Sequence, residues 1–331
     1  MLRKTLKVFG VIVVVVVVFV ALASIYVMAT WNRDYSETPL PAITASADPE
    51  VIARGEYLVH NVAHCSVCHG SPDRKPGDTI DWNQPLAGGY VWDVPLFGRF
   101  VAANITPDRE TGIGAMSDGE LARAIRHAVG RTGRILPFML LSTGPMSDED
   151  LTAVVSFIRS REPVRRETTP EAWGVMAKVL SGSFTPRLDP PPVHVASDDN
   201  PSVERGRYLA TGPAACGVCH TPRDPLTFAL NGSPLSGSAT MPEPDPANAG
   251  FEFVYPNLTP DSETGHIAAW DEDTFLQRFR GGRVHAGSTM PWESYQRMTD
   301  ADIRSVYRFL RSLPPTRNPV GAPYRRSGAA D

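Results

Sequence analysis

Lysine is almost missing from this chain of 331 residues. Lys4, Lys7, Lys75 and Lys178 are all there is, and the other basic side chains are arginines. That excludes a lysine ring of the kind that steers some carriers towards acidic partners. No sign of charge dominates either. A formal net charge of −4 gives no basis for nucleic-acid binding. Cysteine is equally scarce, and its four copies all fall in two short motifs. No spare pair remains for a structural disulfide. Proline, by contrast, is plentiful. Its 31 copies predict long irregular loops, as expected where chain wraps a group other than itself.

The two motifs are Cys65-Ser66-Val67-Cys68-His69 and Cys216-Gly217-Val218-Cys219-His220. C-x-x-C-H is the attachment pattern of c-type haem. Two thiols three residues apart lie on one side of a helical turn, within reach of both vinyl groups of one porphyrin. The next residue, His69 or His220, can then ligate the iron from the proximal face. Two covalently bound haems are expected. Paired C-x-x-C also occurs in zinc ribbons, but there the pairs stand about 15–20 residues apart, whereas here half the chain separates them. A thioredoxin-like dithiol needs a βαβ context that the sequence lacks.

The N-terminus is basic at Arg3, Lys4 and Lys7 and then apolar and uncharged over residues 8–29. Such a run spans about 30 Å of hydrocarbon. The preceding charges place the N-terminus in the cytoplasm and the rest of the chain outside. Haem attachment at this motif is periplasmic in bacteria, so topology and motif agree. The expected localisation is the bacterial inner membrane, single-pass, with lipid contact through this helix. The competing reading is a cleaved signal peptide, with Ala21-Leu22-Ala23 before Ser24. Against it, the apolar run continues beyond that site.

The body repeats itself at an offset of about 151–153 residues. Arg54-Gly55-Glu56-Tyr57-Leu58 matches Arg205-Gly206-Arg207-Tyr208-Leu209, and the haem motifs follow. Asn104-Ile105-Thr106-Pro107-Asp108 matches Asn257-Leu258-Thr259-Pro260-Asp261. Ser147-Asp148-Glu149-Asp150-Leu151 matches Thr299-Asp300-Ala301-Asp302-Ile303. This organisation predicts an anchor over 1–30, a first domain over 48–161, a linker over 162–200, a second domain over 201–314 and a tail over 315–331. Each domain reads as mostly α. First helices start near Pro49 and Ser202, middle helices at Ser117 (with a Glu120 capping box) and Asp271, and last helices at Ser147 and Thr299. Gly55 and Gly206 face Phe157 and Phe309, letting first and last helices cross closely. In the linker, 170–180 reads as one short helix with Trp173, Met176 and Leu180 on one face. The loop over 241–249 reads either as a docking surface or as disordered chain.

The distal iron ligands are predicted as Met139 and Met290. Each follows its proximal histidine by 70 residues and is expected in a loop between two helices. Met146 is a rival, but it and Met298 directly precede the last helices and suit a hydrophobic staple. His127 and His285 are histidine rivals without equivalents in the other copy. His60, His64, His194 and His266 read as solvated or locally bonded. Pro72 and Pro222 are expected to accept the Nδ1 protons of the proximal histidines. Asn104 and Asn257 are expected to reach the haem edge or propionates, while for Asp108 and Asp261 a local turn with Asx bonding is the equal reading.

Taken together, these residues resemble the membrane-associated, multi-domain c-type cytochrome subunits of bacterial alcohol, gluconate and sugar dehydrogenases. The likeness covers residues 48–313. It implies tandem class I cytochrome c domains, and the crossing of first and last helices is a feature of that class. Those subunits usually carry three haem domains, where two are present here. The expected function is a membrane-anchored diheme carrier, without substrate chemistry of its own. It would take electrons from a periplasmic or membrane dehydrogenase and pass them to quinone, another cytochrome or a terminal oxidase of the respiratory chain. The alternative is a diheme peroxidase-like enzyme, which needs one haem with an open distal site. A third reading makes the second domain mainly a docking module.

Overall fold

The computed structural model describes residues 2–70, 80–182, 184–196, 199–224 and 229–328. The protein is mostly helical. It opens with one apolar helix, α1 (Leu2–Thr30). Within it, Lys7–Thr30 is long and apolar enough to cross a membrane.

Two runs of elements follow, alike in order. The first comprises α2 (Pro49–Tyr57), α3 (Cys65–His69), β1 (Val91–Val94), β2 (Gly98–Val101), α4 (Asp118–Arg126), α5 (Pro137–Ser142), α6 (Asp148–Arg159) and β3 (Ala172–Trp173). A short helix, α7 (Val175–Ser181), leads out of it. The second comprises α8 (Val203–Thr211), α9 (Cys216–His220), β4 (Ser238–Pro244), β5 (Phe251–Tyr255), α10 (Glu272–Arg280), α11 (Trp292–Tyr295), α12 (Asp300–Ser312) and β6 (Tyr324–Arg326).

Local chemistry starts these helices where the sequence predicts. Ser202, Asp271, Ser147 and Thr299 cap α8, α10, α6 and α12 with their side-chain oxygens. Ser117 and Glu120 close a capping box on α4. First and last helices cross at the predicted glycines. A Cβ on Gly55 would stand 1.9 Å from the Ala153 carbonyl oxygen and 2.7 Å from Phe157 Cβ; on Gly206 it would stand 1.8 Å from the Ser305 oxygen and 2.8 Å from Phe309 Cβ. Any side chain there would force α2 off α6, or α8 off α12.

The sequence reading missed the strands. β1-β2-β3 and β4-β5-β6 are both three-stranded antiparallel sheets. Two expectations are corrected by them. Residues 170–180 are not one helix: Trp173 lies in β3, paired with Gly98, and the helix begins only at Val175. The 241–249 segment is partly strand, since β4 runs to Pro244 and pairs with β5. Chain beyond each last helix also stays tied to its own half. The Val164 carbonyl accepts from Asn104 Nδ2, and the Thr316 carbonyl accepts from Asn257 Nδ2, both at 2.8 Å.

One hydrophobic core runs through both halves, from Leu58, Leu151 and Phe157 to Leu209, Ile303 and Leu310. The halves also exchange hydrogen bonds. Tyr57 and Tyr208, from the two Arg-Gly-x-Tyr-Leu segments, reach Asp302 and Asp150 on the other half's last helix.

Candidate functional site

Each C-x-x-C-H motif forms a single helical turn, α3 or α9. The turn is set off from the preceding helix by a residue with left-handed backbone, His64 (φ 43°) or Ala215 (φ 51°). For a non-glycine residue that conformation is uncommon, and its appearance at equivalent positions marks a required reversal. Just before it, the Ala63 and Ala214 amides donate to the Leu58 and Leu209 carbonyls, five residues back. None of the four thiols is in a disulfide. Burial pushes the Cys65 and Cys216 thiols up to about 12, so both stay protonated at neutral pH.

The histidines have fixed tautomers. His69 Nδ1 lies 2.7 Å from the Ala103 carbonyl oxygen, and His220 Nδ1 lies 3.0 Å from that of Pro256. A carbonyl only accepts, so Nδ1 carries the proton and Nε2 keeps a lone pair for a metal. Burial pushes both imidazoles down, His220 to about 4, which keeps them neutral. The expected proline acceptors are thereby corrected. Pro222 instead accepts from the Asn231 amide at 2.7 Å, and Pro72 lies outside the described residues. Ala103 and Pro256 lie just beyond β2 and β5 and immediately precede Asn104 and Asn257.

Those asparagines are structural. Asn104 Oδ1 accepts from the Thr106 amide and hydroxyl, and its Nδ2 donates to Thr111 and Val164; Asn257 repeats the set with Thr259, Thr264 and Thr316. Their polar groups are satisfied within the chain.

Two glycines that sequence reasoning overlooked complete each cradle. The Gly88 amide donates to the His69 carbonyl at 2.8 Å and the Gly237 amide to that of His220 at 2.7 Å. Both have positive φ, 66° and 86°. A Cβ on Gly88 would meet the Ala103 oxygen at 2.3 Å, and one on Gly237 the Asn257 amide nitrogen at 2.6 Å. The signal was present as a repeated Leu-x-Gly, at Leu86 and Leu235.

Met139 lies in the short helix α5, where a loop was expected; Met290 does lie in a loop, just before α11. Both are half-buried against the core that also receives Cys65 and Cys216. Met146 and Met298 are core residues at 2% and 3% exposure, as staples require. His127 Nδ1 is bonded to the Arg187 carbonyl, and His285 stacks on Tyr324 with ring centroids 3.9 Å apart. His60 is buried, with Nδ1 2.5 Å from Ser66 Oγ; it is locally bonded, not solvated. His194 meets Ser147 Oγ at 3.2 Å, and the His266 ring packs on Trp270.

Between the two attachment turns stands Tyr295. Its hydroxyl donates to the Ala214 carbonyl at 2.7 Å, two residues before Cys216. The ring of His64, adjacent to Cys65, meets it edge-on at 5.8 Å.

No family model matches the chain. Curated relatives do. The gluconate 2-dehydrogenase cytochrome c subunit of Pantoea cypripedii is 31% identical over 283 residues, 81% of this chain and 60% of that protein. The cytochrome c subunit of the alcohol dehydrogenase (quinone) of Gluconacetobacter polyoxogenes is 31% identical over 291 residues, 83% and 58%. This chain is a homologue of dehydrogenase cytochrome c subunits. It spans about 60% of the length of those two proteins. A diheme cytochrome c-type protein of Cereibacter sphaeroides is 28% identical to this cytochrome homologue over 282 residues, covering 90% of that relative.

Proposed function

We propose that this cytochrome homologue is a membrane-anchored diheme electron carrier of the periplasm, built from tandem class I cytochrome c domains. Cys65 and Cys68 would hold one haem by thioether bonds, with His69 and Met139 as axial ligands. Cys216 and Cys219 would hold the other, with His220 and Met290. The observation that carries this reading is the duplicated attachment turn, in which a neutral histidine has Nδ1 committed to a carbonyl and Nε2 left for iron. The donor set, two thiols and one imidazole per turn, fits haem c. A diheme relative covered over most of its length supports the count of two.

A haem held in each turn supplies a one-electron ferric/ferrous couple. The chain holds the imidazoles in orientation through Ala103 and Pro256, and sets Cys65 and Cys216, half-buried, against the hydrophobic core. His64 and Tyr295 bridge the two turns, the arrangement an intramolecular relay needs. The names of the relatives support a dehydrogenase as donor; quinone, a cytochrome or a terminal oxidase is the acceptor proposed here. α1 is read as the anchor because it is long, apolar and preceded by Arg3, Lys4 and Lys7.

The test is the intact mass of the full chain after c-type maturation. Two haem additions are expected, and one after Cys65→Ala with Cys68→Ala. A single addition to the native chain, or none, contradicts the proposal.

A further inference from the structure

The first half carries an apolar face where α1 leaves the bilayer. α7 ends against that exit: the ideal Cβ of Gly182 would lie 3.3 Å from Thr30 Oγ1, and Lys178 Nζ sits 4.8 Å from the Trp31 ring centroid. The Trp31 and Trp173 rings are 6.1 Å apart, and the Arg134 guanidinium carbon stands 5.1 Å from the Trp31 ring centroid. Tryptophans flanked by basic side chains at the end of an apolar helix are the composition of a membrane–water boundary.

From that boundary, α7 turns an unusual face outward. Ala177 and Ser181 are buried, while Val175 and Val179, one turn apart on the other side, are exposed. Val175 is 72% exposed. The tip of the β1–β2 hairpin continues the same face, since the Met176 amide donates to the Leu96 carbonyl at 3.1 Å and the Gly174 amide to that of Phe97 at 2.7 Å.

Residues 94–97 close a tight turn through the Phe97 amide and the Val94 carbonyl at 3.0 Å, with Pro95 and then Leu96 at its centre. Leu96 has φ 67°, where a turn after proline favours glycine. A branched apolar side chain is thus held in a strained conformation and is 75% exposed. In water both features are unfavourable. Inserted among lipid headgroups, the side chain recovers the free energy of leaving water.

We infer that the hairpin tip at Val94–Leu96 and the outer face of α7 (Val175, Val179) rest in the headgroup and upper acyl layer of the bilayer that α1 crosses. This second contact would hold the first half against the membrane surface, where a single flexible tether would let it swing. The inference rests on the reading of α1 as an uncleaved anchor.

The test uses the full, matured chain in phosphatidylethanolamine–phosphatidylglycerol vesicles containing phospholipid with a photoreactive diazirine high on one acyl chain. Adducts are mapped by peptide mass spectrometry after illumination. Expected adducts fall in α1 and also in peptides containing residues 94–96 and 175–179. The double variant Leu96→Asp, Val179→Asp, checked for unchanged haem content, should keep the α1 adducts and lose the others. Adducts in α1 with none at the hairpin or α7 of the native chain overturn this inference and leave the anchor standing. No adducts in α1 overturn the anchor, and the proposed face with it.

Discussion

The Tyr57 hydroxyl donates to Asp302 Oδ2 at 2.7 Å, and 151 residues later Tyr208 returns the same bond to Asp150 at 2.6 Å. Each tyrosine therefore crosses to the opposite half. Each also accepts from the backbone amide of the residue capping that half's last helix, Thr299 at 3.1 Å or Ser147 at 3.2 Å. The two aspartates take a second partner from their own half, Arg54 on Asp150 and Arg205 on Asp302. Two repeated sequence segments thus form one reciprocal clamp.

Removing one hydroxyl takes a hydrogen bond from a buried carboxylate and leaves its arginine in place. Tyr57→Phe and Tyr208→Phe should each cost about 2 kcal/mol. Urea unfolding of the matured protein measures this, and an unmoved midpoint would show that the clamp adds nothing.

Two glycines near the second attachment turn should respond oppositely to alanine. At Gly206 the new Cβ meets the Ser305 carbonyl oxygen at 1.8 Å, so α8 and α12 must part, at about 3 kcal/mol. At Gly217 the nearest such atom is 3.6 Å away, and Gly217→Ala should be neutral or slightly stabilising. Thermal melts of the two variants side by side decide the matter; equal effects would refute the helix-crossing account.

Acid should weaken the fold before any carboxylate is lost. Burial pushes His60 and His64 down, His64 to about 4, against an ordinary value of 6.5. Native histidines stay neutral while unfolded ones take up protons, so the unfolded state binds more protons below pH 6.5. Stability is complete above that pH and declines as pH falls from 6.5 towards 4. Urea midpoints at pH 7.5 and 5 should differ in that direction, with less difference in His64→Phe. A flat profile would contradict the burial of these rings.

Tyr295 should matter for communication between the halves more than for haem content. Tyr295→Ala removes both the ring against His64 and the bond to Ala214. After flash reduction, electron equilibration between the two haems should slow several-fold while haem per chain is unchanged. An unaltered rate would place the relay elsewhere.

What could be read in the sequence was mostly local. Ser117 with Glu120, the caps at Ser147 and Thr299, and the cysteine–histidine turns depend on residues a few positions apart. Repetition exposed the glycine–aromatic crossing as well. The sheets escaped notice because β1 and β2 have four residues each, and β3 pairs across some seventy residues of intervening chain. The histidine acceptors were assigned to nearby prolines when the bonds go to Ala103 and Pro256, 34 and 36 residues away. A backbone carbonyl has no side-chain signature, so only the folded chain identifies it. The clamp was half visible: both motifs repeat, yet nothing in a repeat says that its partners are exchanged.

The most direct test of the account is the optical spectrum of the full-length matured protein, oxidised and reduced, beside Met139→Ala and Met290→Ala. The account predicts two low-spin covalent haems per chain and a far-red methionine–iron band that each substitution halves. A high-spin haem in the native protein, or a substitution without effect on that band, would contradict it.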